Sequence, residues 1–166
     1  LCAVQSAILT LSYIGVNLIY ENELPESGII FGNPIPEFFI SILLLMYAAD
    51  MMGLMISCLV KKEEAANVLA PYILIVQLIF SGILFAMEGF ADYLSYIMIS
   101  RWGMEALGST ARFNDLQLKI QMTVPSVPHE FEEQFEATAG HLSFVWIVLL
   151  IFILVFVITG NLLLHR

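Results

Sequence analysis

Charge is scarce in this sequence. Of 166 residues only 13% are Asp, Glu, Lys or Arg, where soluble domains hold about 25%. Six bases face fifteen acids, a net charge of −9, which argues against a nucleic-acid partner. Cysteine is almost absent: Cys2 and Cys58 are the only two, and the polar loops contain neither, so no disulfide can form within those loops. Also missing are the phosphate loop Gly-x-x-x-x-Gly-Lys-Ser/Thr, His-Glu-x-x-His, Gly-x-Ser-x-Gly and Cys-x-x-Cys. No catalytic residue and no resident cofactor is therefore expected. Leu1 opens in apolar sequence without an initiator methionine or a signal-peptide pattern, so the chain reads as a piece of something longer, truncated on its N-terminal side.

What is present in excess is apolar surface. The apolar set makes up 60% of the chain and mean hydropathy is +0.89. A soluble core of this size cannot bury that much, whereas a bilayer covers it. The pattern predicts an all-α integral membrane protein with spans near 1–20, 38–60, 65–87 and 142–164. Each is near the ~20 residues needed to cross about 30 Å of hydrocarbon. The first carries Gln5, Ser6, Thr10, Ser12 and Asn17, tolerated where they face neighbouring helices. Residues 21–37, rich in Pro, Gly and Glu, read as a short exposed loop. Residues 88–141 form a long polar stretch. Its apolar part, Tyr93 to Ile99, is too short to span and suggests a re-entrant or interfacial piece. Ser126 is a candidate cap for a short helix with Pro128 near its start.

Lys61, Lys62 and Arg166 flank span ends, and cytoplasmic loops are enriched in Lys and Arg. The expected topology puts 61–64 and 165–166 in the cytoplasm and the loops 21–37 and 88–141 outside, in a multi-pass protein of the cell membrane.

Asp50 stands mid-span, where an acid costs about 2.5–3.5 kcal/mol on insertion scales. Two readings stay open for it: a polar contact in a translocation route, or a helix-interface hydrogen bond. Ala49, Gly53 and Ser57 beside it form a small-residue stripe that permits close packing. On the third span Pro71, Ile75 and Ile79 share one face, near the polar Gln77. That face either lines a cavity for an apolar substrate or is packed bundle. His129 and Glu133 have one-turn spacing, with His141 as a further ligand at most. A site needs three or four ligands, so the bland reading is a solvated acidic helix whose Phe131 and Phe135 face the membrane, with no metal.

The run Ile79-Phe80-Ser81-Gly82-Ile83-Leu84, followed by Ile99-Ser100-Arg101-Trp102-Gly103-Met104-Glu105-Ala106-Leu107, resembles the permease of type-2 ABC exporters. The likeness is closest to the G subfamily of white/pigment and multidrug/sterol exporters. The hinge Lys61-Lys62-Glu63-Glu64 before a helix with Pro71 and Gln77, and the closing apolar span, also resemble that family. The resemblance implies the last four spans of a six-helix permease, with a re-entrant segment and an outer loop before the final helix. It implies an ATP-binding cassette domain, fused or separate, carrying ATP and Mg, and a second permease half. It implies a substrate cavity at Pro71, Ile75 and Ile79 and an apolar plug at Ile83 and Leu84. Ser81, Gly82, Arg101, Trp102, Gly103, Ala106 and Leu107 carry the family motif. Ser100 departs from it, standing where many members have proline, and the cysteine-free outer loop points to a bacterial version. The function implied is export of lipid-like or amphipathic compounds. A permease-like scaffold without transport is the alternative; a membrane enzyme would need a second intramembrane acid beside Asp50.

Overall fold

The computed structural model describes residues 1–20, 25, 27–60, 63–82, 89–123 and 132–165. Among them are seven α-helices: α1 (Cys2–Ile19), α2 (Pro34–Leu59), α3 (Glu63–Ile79), α4 (Phe90–Ser95), α5 (Ile99–Thr110), α6 (Phe113–Thr123) and α7 (Ala139–Leu164), with one 3-10 turn, Glu133–Phe135. Three of these, α1, α2 and α7, are long and apolar enough to cross a membrane. The third expected span corresponds to α3, which has 17 residues and breaks at a turn ending in Gly82, where φ is +82°. The remainder of the stretch expected to span, 83–87, lies outside the described residues.

α2 begins earlier than hydropathy alone indicates. Asn33 caps it, its side chain accepting from the Ile35 amide, and Pro34 fits a first turn whose amides lack helical partners anyway. Glu37 is thus not part of an exposed acidic loop. It is fully buried, and its carboxyl accepts the backbone N–H groups of Ile29 (2.9 Å), Ile30 (2.6 Å) and Phe31 (2.9 Å). The loop wraps the side chain so closely that a Cβ on Gly28 would lie 2.6 Å from Glu37 Oε1 and from the Asn33 backbone.

Contacts fix helix directions. Cys2 meets Asp50, Ser6 meets Met46 and Tyr13 stacks on Phe38, so α1 runs antiparallel to α2. Trp146 donates to Ser41 at 2.9 Å, and Gly160 approaches the Met55 backbone, so α2 and α7 run parallel. On α1 only Ser6 and Thr10 of the polar residues are buried, each returning its hydroxyl to the carbonyl four residues back; Gln5 and Ser12 remain exposed.

The core sits where α2, α5 and α7 meet. Ala48, Ile99, Trp102, Ala106, Leu142, Val145, Leu149 and Ile153 make one buried cluster. α5 enters through small residues: a Cβ on Gly103 would lie 2.5 Å from Leu45, and one on Gly108 would lie 2.3 Å from Phe135. Phe135 therefore does not face the membrane. It is 7% exposed, packs edge-on against Phe113, and belongs to a 3-10 turn instead of a solvated acidic helix. Asn114 of α6 holds that turn, donating to the carbonyls of Glu132 and Phe135 and accepting the Glu132 amide.

Candidate functional site

α3 has two distinct faces. At ~100° per residue, Ala66, Ile73, Gln77 and Phe80 fall on one side, and these are half-buried against the rest of the chain. Pro71, Ile75 and Ile79 lie on roughly the opposite side and are exposed, Ile75 by 54% and Ile79 by 39%. The sequence-predicted cavity residues thus share one face that no described residue of this chain covers. Ile83 and Leu84 lie outside the described residues. Ser81 is buried and donates its hydroxyl to the Leu78 carbonyl at 2.7 Å, closing the end of α3 ahead of Gly82.

Gln77 is the polar contact between α3 and the core. Its side-chain oxygen accepts the Ser100 amide at 3.0 Å, its backbone carbonyl accepts the Ser100 hydroxyl, and its side-chain nitrogen lies 3.7 Å from Met52 Sδ on α2. The N-terminus of α5 thereby stands level with Met52. α5 then passes Leu45 at Gly103 and ends where Arg112, at φ +53°, donates to Ser27 ahead of α2.

The motif residues on α5 are brought together in a buried polar knot. Arg101 pairs with Asp92 and donates to Ser95, both on α4, and its guanidinium lies over the Tyr96 ring at 3.9 Å. Glu105, one turn on, lies 3.9 Å from Arg101 Nε and 3.2 Å from His141 Nε2 on α7. That ring nitrogen also lies 3.2 Å from the Gln134 carbonyl. Burial pushes the Glu105 carboxyl above its ordinary value, and His141 and Arg101 pull it part of the way back. Trp102 donates to the Tyr96 carbonyl at 2.9 Å, Ala106 is fully buried and Leu107 half-buried. The knot cements α4, α5 and α7 together, since a buried charge survives only with partners. Sequence reading missed it because only 93–99 stood out within 88–141, as a re-entrant or interfacial piece. A helical signal was there: Ile99, Trp102, Ala106 and Ser109 recur at helical spacing.

Asp50 accepts from Cys2 Sγ at 2.8 Å, a contact between α1 and α2. The adjoining stripe of Ala49, Gly53 and Ser57 is exposed, and nothing lies within 4 Å of where a Cβ on Gly53 would stand. His141 is engaged with Glu105; His129 lies outside the described residues. Among the described residues no group of three or more His, Cys, Asp or Glu is placed to hold a metal ion.

An arrangement of apolar spans around a buried, polar-stitched short helix suits a membrane conduit and offers no catalytic constellation among the described residues. The family model for the ABC-2 type transporter matches residues 28–110, half of the chain. The ABC transporter ATP-binding/permease protein Rv1747 of Mycobacterium tuberculosis is 29% identical over 112 residues, which is 66% of this chain and 12% of that protein. The chain thus spans about an eighth of that relative's length. No solved structure matches. The match from the Gly28 loop to the end of α5 takes in the whole α2, α3 and α5 assembly, and with the apolar helices it shows that this chain is a multi-pass membrane protein belonging to the ABC-2 type transporter family.

Proposed function

We propose that the chain is the transmembrane permease part of an ATP-driven exporter that moves lipid-like or amphipathic compounds out of the cytoplasm. It resembles the G subfamily most, in a bacterial version. The observation that carries this reading is the split of α3: one stripe seats it on the core, and the opposite face, Pro71, Ile75 and Ile79, is apolar and uncovered. An apolar wall of this kind suits a greasy substrate. Ile83 and Leu84, just beyond Gly82, are the plug in this reading.

The parallel course of α2 and α7 supports four crossings. If both span the bilayer, the chain between them returns across it, and α3 begins that return, reaching the level of Met52 at Gln77. The position of α5, starting level with Met52 and ending beside Ser27, supports a re-entrant α4–α5 segment. The Lys61-Lys62 hinge and Arg166 are then cytoplasmic, and the plasma membrane is the site. ATP and Mg belong to an ATP-binding cassette domain, fused or separate, which the name of the mycobacterial relative supports. A second permease half covers the open face of α3. Closure of the ATPase domains biases an equilibrium between inward-open and outward-open packing.

The test is transport by the full-length protein in proteoliposomes, with a fluorescent phospholipid analogue as probe. ATP-dependent movement of the analogue is expected, and Ile75→Trp should lower it severalfold while ATP hydrolysis continues. Native protein that hydrolyses no ATP, or moves no analogue, counts against the reading.

A further inference from the structure

A helix end in a bilayer is a physical problem. The first turn of a helix leaves its N–H groups unpaired and the last turn leaves its C=O groups unpaired. Water is not at hand in the hydrocarbon to satisfy them. α3 ends and α5 begins at the same place, level with Met52 of α2. The N-cap residue of α5, Met98, offers no side-chain cap.

The two ends solve the problem for each other. Gln77, in the last turn of α3, reaches out with its side-chain oxygen and accepts the amide of Ser100, in the first turn of α5, at 3.0 Å. Ser100 answers with its hydroxyl, which donates to the Gln77 backbone carbonyl at the end of α3. The partial negative charge of one helix C-terminus also faces the partial positive charge of the other's N-terminus. Few other contacts hold α3: among its described side chains only Ala66, Ile73 and Gln77 are even half-buried, and Tyr72, Leu74, Ile75, Val76, Leu78 and Ile79 are exposed.

We propose that Gln77 is the positioning residue of the transport helix: with Ser100 it forms a reciprocal cap that makes α3 and α5 one moving body. This rests on the exporter reading for its role in transport, though not for the joint itself. α5 is built into the core by Gly103, Ala106 and the Arg101–Glu105–His141 knot. Through the cap, a shift of that core carries the face of Pro71, Ile75 and Ile79 with it. Proline at 100 would supply neither donor, so the device needs Ser100 and Gln77 together.

The experiment measures spin-label distances in the full-length protein, with Cys2→Ser and Cys58→Ser as background. One label pair is Tyr72→Cys with Ile97→Cys, both exposed positions; the other is Tyr72→Cys alone, read between the two permease halves. In the resting protein the 72–97 distance should be single and narrow. Ser100→Pro and Gln77→Leu should each broaden or shift it. The double variant should look like Ser100→Pro alone, because proline at 100 already removes both donors to residue 77. Proline is tolerated in a helix's first turn, and the double variant leaves no side-chain amide at 77 without its donor, so it keeps the comparison readable if a single variant folds poorly. With MgATP and vanadate the 72–72 distance between the two halves should change while 72–97 stays fixed. In the variants ATP hydrolysis should persist with the two distances moving independently. Single variants matching the native distribution, additive effects, or a native 72–97 distance that changes on trapping would each overturn the proposal. Absence of ATP hydrolysis and of any trapped-state change in the native protein would sink the exporter reading instead, and the resting distances would still decide the joint.

Discussion

The α2–α5–α7 body and the helix α3 solve opposite problems. The body is stitched by polar groups. Glu37 gathers three amides, Trp146 reaches Ser41, Arg101 bridges to α4, and Glu105 meets His141. Its apolar residues are packed to full burial at Ala48, Ala106, Leu142, Val145 and Leu149. α3 is apolar almost all round, yet within this chain it is nearly bare, held at Gln77 and a narrow stripe. In a bilayer apolar surface provides little cohesion between helices, because lipid is as apolar as leucine. Polar contacts and small residues mark where helices stay together, and their absence marks where a helix is free to move or to take another partner.

Breaking the body should cost most at Glu37. Glu37→Ala leaves the Ile29, Ile30 and Phe31 amides without their acceptor, and a loss of about 3 kcal/mol is expected, read as a fall in the denaturation midpoint in detergent or as failure to accumulate. A normal midpoint would show that the loop before α2 contributes nothing to the body. Next comes Gly108→Ala. The added methyl favours the helix by about 1 kcal/mol but collides with Phe135 at a buried site, where overpacking costs about 1–3 kcal/mol. Net destabilisation is expected, larger than for Gly103→Ala, whose clash is with the mobile end of Leu45.

Acidity gives a smaller effect. Burial raises the Glu105 carboxyl above its ordinary 4.5, so folding favours its neutral form. The stability this group contributes is complete below that ordinary value and is lost as pH climbs through the raised one. Glu105→Gln should therefore flatten the pH dependence of the midpoint above 4.5; a slope unchanged from native would place the titrating group elsewhere. The smallest effect belongs to α3. Leu74→Ala, on a 64% exposed side chain, should move the midpoint by less than about 0.5 kcal/mol. A large loss there would erase the contrast between the two regions.

What the sequence made legible follows the same line. α1, α2 and α7 stand out because hydrocarbon demands a long unbroken apolar run, and they fall within a few residues of the expected bounds. The face of Pro71, Ile75 and Ile79 was readable from helical spacing. α5 was hidden because its polar residues look like loop when read singly. Arg101 and Glu105 are buried with partners that α4 and α7 supply, and periodicity does not reveal a partner. Glu37 was misplaced for a related reason: two prolines and a glutamate resemble a loop, and only the fold shows the three amides converging on it. Phe135 joined the core because Gly108 leaves a socket for it, a fit between residues 27 positions apart.

The placement of tryptophan gives the body an optical signature of its own. The chain has two, Trp102 in α5 and Trp146 in α7, and both indoles donate hydrogen bonds inside the stitched region. Neither α1 nor α3 carries one. Intrinsic emission from this chain therefore reports the α2–α5–α7 body and is silent to α3. A rearrangement confined to the exposed face of α3 leaves the spectrum in place, and a red shift means the body itself has opened.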